Sequence, residues 1–422
     1  MVWKTTVLAL ASVLCARTAT VDDLIRIAID RSRELGAARA RVAETRGLLR
    51  QAGVRPAPAL EVDGATGRAL GSPGKEEFSA AYSQALETGG KRDKRIRVAE
   101  KTVALAEADI AGRTLRLASE IKLRASDALT QEQRLASFDS LIGTLQESLK
   151  LTEARVEQGD AAPLESRLLL VELNRTQAQR RTAEGTRQVA LTDLRRLCGL
   201  ASDEPLALAR EALRDSQAAG GIAQLRQRAL AQRPDLAAAR LVEEQGAAEV
   251  TLSESQDRPD LTLSARYSHR TERFGDLYGY TASGRPALLR DRDNILAAGI
   301  SIPLLTRRRN LGNLEAAAAR ATGARSLRQH LEAAIPLEVE AAWRRWEAAA
   351  ESLKILNAGV VRQSEENLEI VRQAYALGQL RLLDVLNEQR RLTDTRMSHI
   401  EAEADVRRGL AELEQAVGGE LR

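Results

Sequence analysis

FSAAYSQALETGGKR, from Phe78 to Arg92, and ILAAGISIPLLTRRRN, from Ile295 to Asn310, share one pattern in the two halves of the chain. Each pattern predicts a strand, a tight turn and then a very long helix. A duplication this long is not a solenoid repeat, whose period is roughly 20–50 residues. The sequence therefore predicts two similar structural halves. Two pairs of short strands do not form a stable sheet alone, so we expect the chain to complete its fold with copies of itself.

The composition favours long helices over ordinary globular domains. Aromatic residues make up only 3% of the 422 residues, while Ala, Leu, Arg, Glu and Gln dominate, as is typical of coiled coils. The 63 basic and 59 acidic residues nearly balance. No basic tract is dense enough to indicate nucleic acid, and we expect no nucleic-acid partner.

The N-terminus has the pattern of a secretory signal peptide, which we predict over residues 1–19. Lys4 precedes the apolar run TTVLALASVLCA, which is too short to span a bilayer. Arg17 interrupts the small-residue pattern and leaves the cleavage site open. Cys15 raises the alternative of a lipoprotein, although Leu14 is large for that motif. No other run approaches 18 apolar residues, so membrane insertion would have to use strands.

The first predicted repeat covers residues 20–200. It comprises a helix over 21–53, a β-hairpin at about 59–87 and a helical hairpin at about 91–198. Lys91 to Gln158 contains no proline and corresponds to about 100 Å of continuous helix. Apolar residues there recur every seven positions, as in a coiled coil: Ile96, Val103, Ile110 and Leu117.

A connector over 201–221 leads to the second predicted repeat, 222–418. Its elements are a helix interrupted near Pro234, a β-hairpin at about 261–303 and a helical hairpin at about 307–417. Within the β-hairpin we predict strands at 261–268 and 295–303, joined by a polar loop at 269–293. The long helix is expected to kink at Pro336 and to end near Gly378.

The strand at 261–268 alternates apolar and polar residues with a period of two. Its apolar face suits lipid and its polar face suits a water-filled lumen. Each chain offers four strands and two open edges, which lipid cannot satisfy, whereas three chains would close a twelve-stranded barrel. A soluble coiled-coil scaffold is the alternative, but it explains neither the leader nor the alternating strands.

Four stretches carry a resemblance to a known family: YSQALETGGKR at 82–92, QRPDLAAAR at 232–240, SIPLLTRRRNLG at 301–312 and YALGQLRLLDVLNEQRRL at 375–392. Together they resemble the TolC-like outer-membrane efflux proteins, and ETGGKR is most similar to the heavy-metal and cation efflux branch. The expected fold is mainly α with a small β part. It is a long helical coiled-coil barrel that forms a periplasmic tunnel, plus four strands per chain in a trimeric, twelve-stranded transmembrane barrel.

The resemblance also implies a function and partners. The chain would be a passive exit channel in the outer membrane, assembled as a homotrimer. Its partners would be a periplasmic adaptor protein, an inner-membrane pump of the RND type and outer-membrane lipid. The cargo is expected to be metal cations, with drugs or secreted proteins as the alternatives that the sequence leaves open.

The resemblance assigns roles near the two helical turns. Asp384 matches a pore-lining acid. The family's second acid falls at Asn387, so this chain would carry half of the family's negative charge at the pore. Tyr375 and Glu165 match positions that hydrogen-bond across helices to hold the entrance shut. The alternatives are a helix-capping Asp384 and a Tyr375 packed on its own helix. The expected adaptor contacts are the tip residues Gly159, Asp160, Gly378, Gln379 and Leu380.

No metal or enzyme site is predicted. His269, His330 and His399 lie in separate elements, and the sequence lacks spacings such as HxxxH or CxxC. The sequence also lacks GxSxG and Walker motifs. We therefore expect a channel without cofactors, which releases what it carries.

Overall fold

The computed structural model describes residues 19–71, 74–209, 221–304 and 306–421. Residues 1–18 of the predicted signal peptide, which include Cys15, therefore lie outside the described residues. Residues 210–220 of the connector also lie outside them. Within the described ranges the chain is mainly helical, with one four-stranded antiparallel sheet.

One order of elements occurs twice along the chain: two helices, a β-hairpin, then long helices. In the first half the elements are α1 (Val21–Arg31), α2 (Arg33–Ala52), β1 (Ala59–Thr66), β2 (Lys75–Leu86), α3 (Lys91–Glu157) and α4 (Pro163–Cys198). In the second half they are α5 (Ile222–Gln232), α6 (Pro234–Ser255), β3 (Leu261–Tyr280), β4 (Pro286–Ser301), α7 (Thr306–Asn357), α8 (Val360–Ala376) and α9 (Leu382–Val417).

The chain divides into two compact units. One contains residues 19–39, 108–209, 221–237 and 330–421, and the other contains 40–71, 74–107, 238–304 and 306–329. The first unit is helical, and two of its apolar clusters lie where α1 and α5 pack on the long helices. In one cluster, α1 packs on α3 and α4 through Leu24, Ile121 and Leu194, and in the other α5 packs on α7 and α9 through Leu225, Ile335 and Leu413.

The second unit contains the sheet, whose strand order is β1-β2-β3-β4. The register places apolar residues opposite one another across all four strands: Tyr82 lies opposite Leu60 and Ala265, and Tyr267 lies opposite Ala80 and Leu296. Apolar side chains on this face are exposed to solvent in the single chain, among them Leu60, Tyr82 and Leu296. A continuous apolar face of this kind needs a covering medium or partner.

The predicted loop at 269–293 is wrong, because β3 and β4 extend through most of it. Charged residues on the two strands lie opposite one another, such as Arg270 and Asp293, and opposite charges across a ladder stabilise strand pairing. The polar residues at 269–293 therefore belong mostly to paired strands and not to a loop.

The predicted single helix over 21–53 is interrupted at Ser32. The backbone of Ser32 is extended (φ −60°, ψ 119°), and its hydroxyl accepts the Leu35 N–H at 3.3 Å. Serine caps a new helix well because its oxygen satisfies an otherwise unpaired N–H. The equivalent break before Pro234, between α5 and α6, follows the prediction.

The second long helix also differs from the prediction. The helix α7 contains Pro336 and ends at Asn357, and the kink expected at Pro336 stays a prediction. The interruption lies at Ala358 and Gly359, and Gly359 has φ +113°, which favours glycine. The 17-residue helix α8 is therefore separate from α7.

Among the described residues, none of the helices combines the length and apolar character needed to cross a membrane.

Candidate gate and helical tips

The two helical tips have the same turn. Gly159 and Gly378 adopt left-handed backbones, with φ +81° and +74°. In each turn the next N–H bonds back to a carbonyl five residues earlier: Asp160 to Arg155 at 2.8 Å, and Gln379 to Ala374 at 2.9 Å. This is a Schellman-type ending, in which a glycine after the helix allows the last carbonyls to be satisfied.

A new helix starts a few residues beyond each glycine. Pro163 opens α4, where its missing N–H costs no helical hydrogen bond. At the other tip, the Asp384 carboxylate accepts the Arg381 N–H at 3.0 Å at the start of α9. Asp384 therefore caps its own helix in the single chain, as the alternative interpretation expected.

Asp384 and Asn387 both lie on the exposed surface of α9. Their spacing of three residues makes them neighbours on one side of the helix. Both side chains are accessible in the single chain, and the pore-lining role remains a prediction. Gln379 and Leu380 are also exposed, as are Gly159 and Asp160 at the other tip.

Tyr375 and Glu165 meet across helices, as the resemblance implied. The Tyr375 phenol, near the end of α8, donates to Oε2 of Glu165 on α4 at 2.7 Å. The Arg155 guanidinium of α3 lies over the same ring, 5.7 Å from its centroid. Burial raises the pKa of Tyr375, and the bond to the Glu165 carboxylate raises it further. The phenol is therefore held in its neutral, donating form.

A second polar contact lies further along α4 and joins it to α9. Arg390 of α9 donates from Nη2 to Oε2 of Glu172 on α4 at 2.7 Å, and from Nε to the same oxygen at 3.2 Å. Sequence reasoning missed this pair. The available signal was the heptad spacing of Glu172 from Glu165, which places a second carboxylate on the same face of α4.

Histidines do not form a metal site in the described part of the chain. His269 Nδ1 lies 2.9 Å from the amide oxygen of Asn294, and His399 Nε2 lies 2.7 Å from that of Asn357. His330 lies on α7. The described residues contain no group of three or more His, Cys, Asp or Glu side chains placed to hold a metal ion.

Comparison with known proteins places this architecture in a family. The model of the outer membrane efflux protein family matches residues 24–200 and 225–419. The cobalt-zinc-cadmium resistance protein CzcC of Cupriavidus metallidurans is 25% identical over 381 residues, which cover 90% of this chain and 85% of that protein.

Solved structures have the same fold. The structure of CusC superposes with a TM-score of 0.78 at 21% identity, over 94% of this chain and 92% of that one. The outer membrane protein VceC of Vibrio cholerae gives 0.74 at 20% identity, over 95% of this chain and 97% of that one. The chain belongs to the outer membrane efflux protein family, whose members are channels of the outer membrane and not enzymes.

Proposed function

We propose that the chain is the outer-membrane exit channel of a tripartite efflux system and that its cargo is metal cations. Similarity to a cobalt-zinc-cadmium resistance protein over 90% of the chain is the observation that favours this cargo. The channel itself would catalyse no reaction. It would receive substrate from an RND-type inner-membrane pump through a periplasmic adaptor, and release it outside.

The sheet favours a trimer. In the strand order β1-β2-β3-β4, β1 and β4 are the edges, and the outer edge of neither strand pairs with another strand in the described residues. Unpaired backbone groups are costly in lipid, so the edges must be closed. Three copies would join β1 of one chain to β4 of the next and form a twelve-stranded barrel with the apolar face toward lipid.

The helical part would form the periplasmic tunnel. We propose the two repeats as 20–200 and 222–418, joined by the connector 201–221, after a signal peptide at 1–19. The tips around Gly159 and Gly378 would contact the adaptor, because their exposed turns end the helical hairpins. Tyr375 and Glu165 would hold the entrance closed, and Asp384 would face the pore.

Growth of a deletion strain tests the cargo. The strain would be compared with the same strain carrying the intact gene, across graded zinc, cobalt, cadmium, copper and silver, beside a panel of drugs and detergents. We expect selective sensitivity to metal cations that the intact gene reverses. Sensitivity to drugs alone would contradict the metal assignment and would leave the channel in place.

A separate measurement tests the trimer. Purified protein in detergent would be chemically cross-linked and its mass determined. We expect a species of three chains that withstands detergent. A monodisperse, detergent-independent monomer would contradict the barrel and would favour the soluble scaffold.

A further inference from the structure

The contact between Arg390 and Glu172 joins a buried carboxylate to a half-exposed guanidinium, whose side chain is 47% exposed. Glu172 is only 9% exposed, although α4 is otherwise largely accessible in the single chain. Nη2 and Nε of Arg390 both donate to one carboxylate oxygen of Glu172, at 2.7 and 3.2 Å. Charge-assisted hydrogen bonds of this type are about twice as strong as neutral ones.

The pair lies at one end of a leucine seam. Glu172 follows Glu165 by seven residues, so both carboxylates lie on the same face of α4. Between them, Leu169 of α4 packs with Leu382 and Leu386 of α9. The seam thus has the Tyr375–Glu165 contact toward the tip and the Arg390–Glu172 contact on its far side.

We propose that Arg390 and Glu172 form a second clasp, which acts in parallel with the Tyr375–Glu165 contact to hold α9 against α4 and keep the entrance closed. This inference rests on the proposed function of the chain as a gated channel. Arg390 is a positioning residue in this scheme, because it acts through the helix packing and not on the cargo.

The chemistry of the two contacts predicts different roles. Breaking the phenol–carboxylate bond leaves one charged partner near the exposed tip, where water can solvate it. Breaking the Arg390–Glu172 bond leaves a carboxylate that the protein largely covers, which is more costly. The second clasp therefore keeps the seam closed after the Tyr375 contact has opened.

Single-channel recordings in planar bilayers test the clasp with the purified full-length chain. The variants are Tyr375→Phe, Arg390→Gln and the double variant. A hydrogen bond to a charged group shifts an equilibrium by about tenfold or more, so the double variant should exceed Tyr375→Phe by about that factor in its ratio of open to closed time. An equal ratio in Tyr375→Phe and the double variant would overturn the proposal.

Arg391→Gln is the matched control. The Arg391 side chain is 78% exposed and pairs with Glu388 on its own helix at 3.3 Å. Its loss should leave the open-to-closed ratio at the wild-type value. An increase equal to that of Arg390→Gln would mean that general charge, and not the clasp, controls closure, and would overturn the proposal.

Two further variants keep the test independent of how well Arg390→Gln folds. Glu172→Gln retains the side-chain shape and should open the channel to the same extent. Exchange of the two residues, by Glu172→Arg with Arg390→Glu, should return the ratio toward wild type, which a loss of general stability would not do. A wild-type protein that forms no channels would overturn the proposed function itself, and the clasp with it.

Discussion

The Tyr375 phenol donates a 2.7 Å hydrogen bond to Glu165, and this contact joins the end of α8 to the start of α4. Arg155 of α3 lies over the same ring, so three helices meet at one side chain. The ring also packs between two leucine-rich clusters. Tyr375 thus couples the two helical hairpins close to both tips.

Tyr375→Phe removes the donor and keeps the ring. We expect a higher single-channel conductance in planar bilayers, because the leucine packing remains while the bond to Glu165 is lost. A hydrogen bond to a charged group contributes about 1.5–3 kcal/mol, so the closed state should weaken by up to that amount. Unchanged conductance would contradict the gating role. Tyr267→Phe, on the sheet, is the control and should conduct like the wild type.

The Tyr375 contact should also depend on pH. The pKa of Tyr375 is raised in the folded state. Its hydrogen bond therefore stabilises the closed form fully at any pH below the ordinary tyrosine pKa of about 10. This stabilisation is lost only as the pH rises through the higher, folded-state pKa. Channel conductance should therefore stay low through neutral pH and rise in strongly alkaline buffer. The Tyr375→Phe variant should lack this alkaline rise, and a rise of equal size in that variant would contradict the assignment.

The periodic spacing of apolar residues predicted the helices and strands in which that spacing continues over many residues. The heptads of α3 and the alternation of β3 were visible because a buried stripe or face repeats over many residues. The helix breaks were different. Ser32 separates α1 from α2 by capping, and Gly359 separates α7 from α8 by its left-handed backbone. Neither break is visible in the spacing of apolar residues. Pro336 was the more visible signal in the sequence, but the helix ends 21 residues beyond it, at Asn357.

The site was predicted only in part for a related reason. Glu165 and Tyr375 were found through resemblance, because their contact joins residues far apart in sequence. Glu172 and Arg390 offered no motif, and charged residues at helical spacing are usually solvated. Only the packing of α4 on α9, which buries Glu172, distinguishes this pair from the many surface ion pairs.

Asp384→Asn tests the pore-lining prediction. If the carboxylate faces the pore, its neutralisation should lower the preference of the channel for cations, because fixed negative charge at a constriction attracts them. The measurement is the reversal potential in a potassium chloride gradient. Asn387→Asp is the matched variant and should shift the potential in the opposite direction. No shift in either variant would leave Asp384 with the helix-capping role alone.

Substitution by alanine should have opposite effects on stability at two helical glycines. A Cβ at Gly409 would lie 3.0 Å from the Trp346 Cα, so Gly409→Ala must push α9 away from α7 and should destabilise by about 1–3 kcal/mol. Nothing lies within 4 Å of a Cβ at Gly185, and Gly185→Ala should stabilise α4 by up to about 1 kcal/mol. Thermal unfolding followed by circular dichroism in detergent measures both. Equal midpoints would contradict the close approach at Gly409.

Cys198 reports on the packing of α1. Its thiol is fully buried and donates weakly to the Leu24 carbonyl at 3.7 Å, and burial raises its pKa to about 11. At pH 8 the thiol should therefore be neutral and covered, so maleimide should label the folded protein slowly and the urea-unfolded protein completely.

Leu24→Ala removes a side chain with no exposed surface. The cavity should lower the free energy of unfolding by about 2–5 kcal/mol and speed labelling at Cys198. Cys198→Ser identifies any labelling that arises elsewhere. Rapid labelling of the folded wild-type protein would show that α1 does not cover this position.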